Sequence, residues 1–324
     1  MSNPVIGLIG LGIMGDAMAQ ALLAGGHRVT GYDVSAEAKK RFKAAGGRLL
    51  ASAAAVGDAS DIVIVSLATS QALAATVESL ATCKPRAGTR ALVVLETSTL
   101  PLEDKNAALA ALKKAGIGLL DCPISGTGVR MKERAWTFFC SGARPAYKRV
   151  EATLRVFTDK IPYVGAFGNG TKMKYAANHL VAIYNVAYGE SVALARKMGL
   201  DPQDVVDLFA NSPVLGTGVM RLRMPFMVDR QYTPATMKVE VWQKDMQVIG
   251  DMAKSVDCPT PLFNACASVY TAAMAQGLDQ HDTASVAEVY ASMAGIPPKS
   301  AAKSAAKSVT RSATPKQAGK PKKG

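Results

Sequence analysis

Histidine is scarce in this 324-residue sequence, and cysteine occurs without close pairing. The three histidines are not spaced as metal ligands, which argues against a histidine-rich metal site. The five cysteines are scattered and odd in number, and none belongs to a C-x-x-C pair. This pattern argues against a disulfide framework or a zinc ribbon, and it is typical of a reducing compartment. We therefore predict no metal site.

Membrane-spanning and leader-like segments are not expected either. The apolar stretch 5–15 has no cationic segment before it and is interrupted by four glycines, unlike a signal peptide. The longest uncharged stretch, 259–278, contains prolines and many polar residues, unlike a membrane span. These features favour a soluble, cytoplasmic protein.

Acidic residues are missing from the C-terminal end, and this absence explains most of the basic charge. The formal net charge is +13, yet eight cations and no acids lie at or beyond Lys299. From 298 to 324 the composition is mainly Lys, Ala, Ser and Pro without an apolar face, which predicts a disordered cationic tail. Since the tail lacks aromatic residues, we expect at most weak, non-specific and salt-sensitive contact with nucleic acid.

Apolar runs alternate with helix-like segments through the first 165 residues. The apolar runs are 5–9, 28–32, 62–67, 91–95, 119–122 and 138–140. The helix-like segments are 13–24, 36–45, 71–83, 101–115 and 145–157. This alternation predicts an α/β domain over 1–165 with a doubly wound parallel sheet covered by helices on both faces.

The pattern changes to helices alone after Gly170. One long helix is predicted over 171–198, because this segment has no proline and Gly199 follows it. Further helical patterns cover 201–210, 238–256 and 262–276. We therefore predict an all-α domain over 166–297, joined to the first domain by the long helix.

A glycine-rich turn follows the first apolar run. The run Gly10–Gly15 reads G-x-G-x-x-G and lies between a predicted strand and a predicted helix, as in a Rossmann dinucleotide-binding domain. Asp33 ends the second predicted strand, 18 residues beyond Gly15. A carboxylate there accepts hydrogen bonds from the adenosine ribose and repels a 2′-phosphate, so NAD is favoured over NADP.

Lys174 and Asn178 lie four residues apart near the start of the predicted long helix, so they share a face. A lysine in a dry pocket has a lowered pKa and can then exchange protons near neutral pH. The spacing alone is more often that of a solvated helix face, and both interpretations stay open at this point.

Taken together, these segments resemble the β-hydroxyacid dehydrogenase family, which includes 3-hydroxyisobutyrate dehydrogenases, tartronate semialdehyde reductases and 6-phosphogluconate dehydrogenases. The similarity runs from Val5 to about Gly295. The segments that carry it are 9–19 (IGLGIMGDAMA), 96–101 (ETSTLP), 121–126 (DCPISG), 168–178 (GNGTKMKYAAN) and 242–246 (WQKDM).

The resemblance implies a role for each of these motifs. Lys174 would be the general acid/base, and Asn178 would bind and orient the substrate. Further substrate contacts are implied for Ser125, Gly126 and Lys244, and we add Thr127 and Arg130 of the same segment as candidate substrate contacts. Cofactor contacts are implied for Gly10, Leu11, Gly12, Ile13, Met14, Gly15, Asp33, Ser98, Thr99, Lys244 and Asp245. The family also implies an oligomer formed through the helical domain.

The segment after Gly126 departs from the family pattern. Three family glycines are replaced by Thr127, Arg130 and Arg134, and tryptophan stands at position 136. The two arginines are suited to binding a second anionic group on the substrate, although pairing with Glu133 or exposure to solvent is the alternative.

Three functions are therefore considered. The first is an NAD-dependent oxidoreductase that interconverts a small 3-hydroxy acid and its semialdehyde or keto acid. The second is an imine reductase on the same scaffold, which the presence of Lys174 disfavours. The third is a non-catalytic dehydrogenase-like scaffold whose tail binds nucleic acid.

Overall fold

The computed structural model describes residues 4–84, 91–128, 131 and 133–299. Its contacts divide the chain into two compact units. The first contains the residues up to Leu180 together with Gln243–Thr260, and the second contains Val181–Trp242 and the residues from Pro261 onward. The domain boundaries at 165 and 297 stay a prediction.

The first unit contains a sheet of seven strands and a separate two-stranded hairpin. The strands are β1 (Ile6–Ile9), β2 (Val29–Tyr32), β3 (Arg48–Leu49), β4 (Ile62–Val65), β5 (Val93–Glu96), β6 (Gly118–Asp121), β7 (Ile124–Ser125), β8 (Thr137–Phe138) and β9 (Ser141–Gly142). The order in the large sheet is β3-β2-β1-β4-β5-β6-β9, and all pairs are parallel except β6 with β9. The chain order reverses between β1 and β4, the point at which such sheets bind ligands.

Helices cover both faces of this sheet. They are α1 (Ile13–Ala24), α2 (Ala36–Ala44), α3 (Ala53–Ala59), α4 (Ser70–Ala81), α5 (Leu102–Lys114) and α6 (Arg144–Leu154). One buried cluster contains Met18, Leu22, Phe42 and Val150 against one face, and a second contains Val56, Leu73, Val77 and Leu112 against the other. Strands covered on both sides need continuous apolar runs, as in β1 and β4, whose residues are all buried. The predicted α/β class is confirmed.

Three details of the first unit differ from the sequence prediction. The predicted strand 138–140 is wrong, because the chain there divides into β8, which pairs with β7, and β9, which joins the edge of the large sheet. Strand β3 was not predicted, since two residues are too short to give an apolar pattern. Helix α3 was missed because its Ala-rich sequence shows no clear periodicity.

The second unit consists of helices, as predicted. Helix α7 (Asn169–Lys197) starts in the first unit and continues into the second, and α10 (Val239–Ser255) starts in the second and continues into the first. The others are α8 (Pro202–Ala210), α9 (Gly218–Asp229), α11 (Pro261–Ala275) and α12 (Val286–Met293). Helix α9 was not predicted because it contains Pro225, which ordinarily marks a helix end. Across the described residues, no helix combines the length and hydropathy that crossing a membrane requires.

Candidate active site

The glycine-rich turn between β1 and α1 is shaped by two close backbone approaches. Gly10 has a positive φ of 87°, and a Cβ there would lie 2.0 Å from the carbonyl oxygen of Ser66. A Cβ on Gly15 would lie 1.9 Å from the carbonyl oxygen of Gly10. Gly12 differs, because no atom lies within 4 Å of where its Cβ would be. A ligand can therefore approach the backbone closely at Gly12.

Helix α1 begins directly after Gly12 without a side-chain cap. Its first N–H groups and helix dipole suit the negative charge of a pyrophosphate. Leu11 is buried, Met14 is partly buried and Ile13 is largely exposed. The open space at Gly12 and the uncapped helix end thus fit a dinucleotide.

Asp33 lies at the carboxyl end of β2 and holds the turn through its carboxylate. One oxygen accepts a hydrogen bond from the N–H of Leu11 at 2.6 Å, and the other accepts one from Ser35 at 2.7 Å. The side chain is partly exposed. It therefore fixes the glycine-rich turn while part of the side chain stays accessible.

Ser98 and Thr99 follow the end of β5. The Ser98 hydroxyl accepts a hydrogen bond from the N–H of Leu67 at 2.8 Å, and its own N–H donates to Glu96 at 2.9 Å. Ser98 is buried and Thr99 is partly buried. The side chain of Ser98 therefore joins the loops that follow β4 and β5.

Behind Ser98 lies a fully buried charged group, the Lys105 cluster, formed by Lys105, Glu96 and Asp121. The ammonium of Lys105 lies 2.6 Å from Glu96 Oε2 and 3.0 Å from Asp121 Oδ1, and it donates to the carbonyl of Ser98 at 2.7 Å. Burial alone would lower the pKa of Lys105, but the two carboxylates outweigh it and raise that pKa. The lysine therefore stays charged at neutral pH.

The Lys105 cluster also holds the start of helix α7. Asp121 accepts hydrogen bonds from the N–H and the hydroxyl of Thr171, both at 2.7 Å. The hydroxyl of Ser141 accepts one from the N–H of Gly170 at 3.0 Å. A carboxylate at a helix N-terminus is stabilised by the helix dipole. One buried cluster thus connects the Ser98–Thr99 segment to the first turn of α7.

Lys174 lies in the next turn of α7 and is partly buried. Among the described residues, its ammonium forms no hydrogen bond or ion pair. Burial is the main reason that its pKa falls to about 8; Asp245 acts to raise that pKa, whereas Lys244 and Lys105 lower it further. A lysine with such a pKa can accept or give up a proton near neutral pH.

Asn178 lies one turn further along α7 and belongs to a chain of polar contacts. Its amide donates to Asp245 at 2.7 Å, and the other oxygen of Asp245 lies 3.2 Å from the ammonium of Lys244. Lys244 also donates to the carbonyl of Thr99 at 2.5 Å. Asn178 and Asp245 are both buried. The contacts therefore join the long helix, helix α10 and the Ser98–Thr99 segment.

The segment predicted to bind the substrate follows β7. Ser125 pairs with Thr137 in the hairpin of β7 and β8, and Gly126 has a φ of 137°. The indole N–H of Trp136 donates to the carbonyl of Thr127 at 2.7 Å. The Thr127 hydroxyl oxygen is enclosed and has no hydrogen-bond partner in the described part of the chain.

Of the two arginines in this segment, the structure describes only Arg134. Arg130 lies outside the described residues. Arg134 has a positive φ of 52°, and its guanidinium donates to the carbonyls of Arg155 and Val156, each at 3.0 Å, and to Asp159 at 3.3 Å. Its guanidinium thus binds the C-terminal end of α6 while the side chain stays 47% exposed, so exposure to solvent, one of the alternatives considered, describes it in part.

The structure brings together Lys174, Asn178, Lys244, Asp245 and Thr99 within the first unit. It shows no hydrogen bond between these residues and Ser125, Gly126 or Thr127 among the described residues. Sequence reasoning missed Lys105, because it follows Glu103 and Asp104 and resembles an ordinary charge on a helix surface. The one hint in the sequence is the helical spacing: Ala108 and Leu112 lie three and seven residues after Lys105, so the three residues share a face of α5, which is buried.

Comparison with known proteins gives matches over both units. Residues 5–165 match the model for the NAD binding domain of 6-phosphogluconate dehydrogenase. Residues 168–290 match the model for the NAD-binding region of NADP-dependent 3-hydroxyisobutyrate dehydrogenase. An L-threonate dehydrogenase of Cupriavidus necator is 30% identical over 88% of this chain and 95% of its own length. The mitochondrial 3-hydroxyisobutyrate dehydrogenase of Mus musculus is 27% identical over 88% of this chain and 86% of its own length.

Solved structures show the same fold. A 3-hydroxyisobutyrate dehydrogenase of Salmonella typhimurium superimposes with a TM-score of 0.78 at 24% identity, covering 88% of this chain and 99% of its own. An imine reductase from a Pseudomonas species gives a TM-score of 0.59 at 21% identity, covering 88% of this chain and 98% of its own. The family models and the threonate dehydrogenase match nearly all of the chain outside the tail. The chain belongs to the β-hydroxyacid dehydrogenase family, whose members are NAD(P)-dependent oxidoreductases of small hydroxy acids.

Proposed function

We propose that this protein is an NAD-dependent dehydrogenase that interconverts a small 3-hydroxy acid and its semialdehyde or keto acid, with Lys174 as the general acid/base. The observation that carries the proposal is the state of Lys174. Its pKa is about 8, and it lies one helical turn before Asn178, whose amide is held by Asp245. A solvated surface lysine would keep its ordinary pKa, so the lowered pKa favours the general-base role.

In the proposed oxidation, the hydroxy acid loses a hydride to the cofactor and a proton to the protein. The glycine-rich turn and the start of α1 would hold the pyrophosphate of NAD, which when bound would supply the acceptor for the hydride of the alcohol carbon. Neutral Lys174 accepts the hydroxyl proton, and in the reverse direction its protonated form returns that proton to the carbonyl oxygen. Asn178 orients the hydroxyl, because its amide is fixed by the buried Asp245 carboxylate. Ser125 and Gly126 would bind the substrate carboxylate.

Asp33 supports NAD as the preferred cofactor. Its carboxylate is fixed by Leu11 and Ser35 at the end of β2, where the adenosine ribose of a dinucleotide binds. A 2′-phosphate at this position would meet a negative charge, and Val34 follows where an NADP enzyme would offer an arginine. NAD is therefore expected to be used more efficiently than NADP.

The experiment that tests the proposal is NADH formation with a panel of acids. The panel contains hydroxyisobutyrate, glycerate, threonate and hydroxy acids with a second anionic group, each with NAD and with NADP. We expect turnover with at least one acid and a higher kcat/KM with NAD. Binding of NADH without turnover of any acid would contradict the proposal and favour the scaffold function.

The rate is expected to depend on pH through Lys174. Oxidation needs the neutral amine, so kcat/KM for the acid should rise about tenfold per pH unit below pH 8 and level off above it. Reduction needs the protonated amine, so its rate should be level below pH 8 and fall about tenfold per pH unit above it. Steady-state rates from pH 6 to 10 in both directions check this. A flat profile in both directions would show that Lys174 is not the proton acceptor.

The other two functions are weaker candidates. The imine reductase matches share the fold at low identity, and Lys174 is retained here. Nucleic-acid contact by the tail stays a prediction, because residues 300–324 lie outside the described residues. Beyond the fold shared with imine reductases, the described residues add no support for either function.

A further inference from the structure

The backbone of the proposed substrate-binding segment lies directly against a tryptophan ring. A Cβ on Gly126 would lie 2.5 Å from Cδ1 of Trp136, and Gly126 has a φ of 137° that side chains rarely adopt. There is therefore no room for a side chain between the backbone at Gly126 and this ring. The segment and the ring are thus packed directly against each other.

Trp136 is itself held rigidly. It is fully buried, and its ring centroid lies 6.1 Å from that of Phe138 and 6.4 Å from that of Phe157. Its carbonyl accepts a hydrogen bond from the hydroxyl of Thr158 at 2.7 Å. The ring is thus part of the core of the first unit and serves as a fixed support.

The indole N–H sets the orientation of one peptide group in the segment. It donates to the carbonyl of Thr127 at 2.7 Å. In a trans peptide the N–H points away from the carbonyl, so the N–H of Gly128 is directed away from the tryptophan. Gly128 in turn packs on the start of α1, since a Cβ there would lie 2.8 Å from Cγ2 of Ile13. The Thr127–Gly128 peptide therefore lies between a fixed ring and the cofactor-binding helix.

We propose that Trp136 is a positioning residue that fixes the Thr127–Gly128 peptide and thereby sets the affinity for the hydroxy acid. The inference rests on the proposed function, because it takes 125–127 as the substrate-binding segment. Where the family pattern has glycine at 127 and leucine at 136, this chain has threonine and tryptophan. The indole supplies a hydrogen bond that a leucine cannot make. This bond restrains the segment, in which threonine stands where the family has a glycine.

The test is Trp136→Phe, which keeps an aromatic ring in the core but removes the N–H donor. We expect KM for the hydroxy acid to rise about fivefold, the effect of one lost hydrogen bond, while KM for NAD stays within about twofold of wild type. The matched control is Tyr147→Phe, which likewise removes one hydrogen-bond donor, here the one to the carbonyl of Ile161, at a ring that lies against Tyr163. It should leave the KM for the acid near that of wild type.

Amide hydrogen exchange gives a second readout that does not depend on turnover. Exchange of the amides at 126–128 should be about fivefold faster in Trp136→Phe and unchanged in Tyr147→Phe. An unchanged KM with unchanged exchange would overturn the inference, as would an equal rise in both variants. If the wild type oxidises no acid, the proposed function fails; the exchange data still show whether Trp136 fixes the segment.

Discussion

Replacing Lys174 with alanine is expected to lower kcat for oxidation of the preferred hydroxy acid by about 10²- to 10⁴-fold, the usual contribution of a positioned general base. The variant should bind NADH as the wild type does, because the cofactor is expected to be held by the glycine-rich turn and Asp33 and not by Lys174. The folded state should also survive, since the ammonium of Lys174 makes no hydrogen bond or ion pair within the described residues. Steady-state kinetics and a cofactor titration together measure these effects.

Two further variants show whether activity requires proton transfer by Lys174 or only a positive charge on this helix. Lys174→Arg keeps a cation but cannot lose its proton near neutral pH, so it should be as slow as Lys174→Ala and lose the rise with pH. Lys172→Ala removes an exposed lysine two residues earlier on the same helix and should change kcat by less than about twofold. Retention of a tenth or more of the wild-type kcat in Lys174→Ala would mean that another group is the base.

The sequence was informative where function depends on local spacing. The glycine-rich turn, the four-residue spacing of Lys174 and Asn178 and the long helix could all be predicted, because each is set by neighbouring residues. The hydrogen bond between Asn178 and Asp245 could not, since it joins residues 67 positions apart and depends on tertiary packing. The resemblance to the family, however, already implied that 242–246 belongs to the site.

Elements that break local rules were missed. Helix α9 contains a proline, and α12 is short and follows a 3-10 turn, so neither shows a helical signal strong enough to be recognised. The contacts of the Arg134 side chain could not be predicted from the sequence either. Its charge indicated an anion, Glu133 or solvent, and the side chain is indeed 47% exposed. Its hydrogen bonds to the carbonyls of Arg155 and Val156 depend on tertiary packing and could not be predicted from the charge.

Lys105 is where the structure adds most to the sequence, and its loss is expected to have the largest effect on stability. Lys105→Met leaves Glu96 and Asp121 fully buried without their cation, and breaking a buried ion pair in this way costs about 3–5 kcal/mol. For a unit of this size we expect the thermal midpoint to fall by about 6–20 °C. Lys113→Met, at an exposed position on the same helix, should change it by about 2 °C or less. Thermal melts of the three proteins test this.

A compensating variant shows whether the cost comes from unpaired charge. In Glu96→Gln/Lys105→Met one carboxylate is removed with the lysine, and the glutamine oxygen can still accept from the N–H of Ser98. Asp121 keeps its bonds from Thr171 and the dipole of α7. We therefore expect the double variant to recover at least half of the lost thermal stability. Equal melting of the single and double variants would contradict the electrostatic explanation.

The same variants connect the Lys105 cluster to catalysis. Lys105 is one of the cations that lower the pKa of Lys174, so its removal should shift the rise in oxidation rate to higher pH. The double variant removes one positive and one negative charge, and its profile should lie nearer to that of wild type. A stability loss without any shift in the profile would confine Lys105 to holding the fold. A shift that is reversed in the double variant would mean that this buried cation also tunes the proposed base.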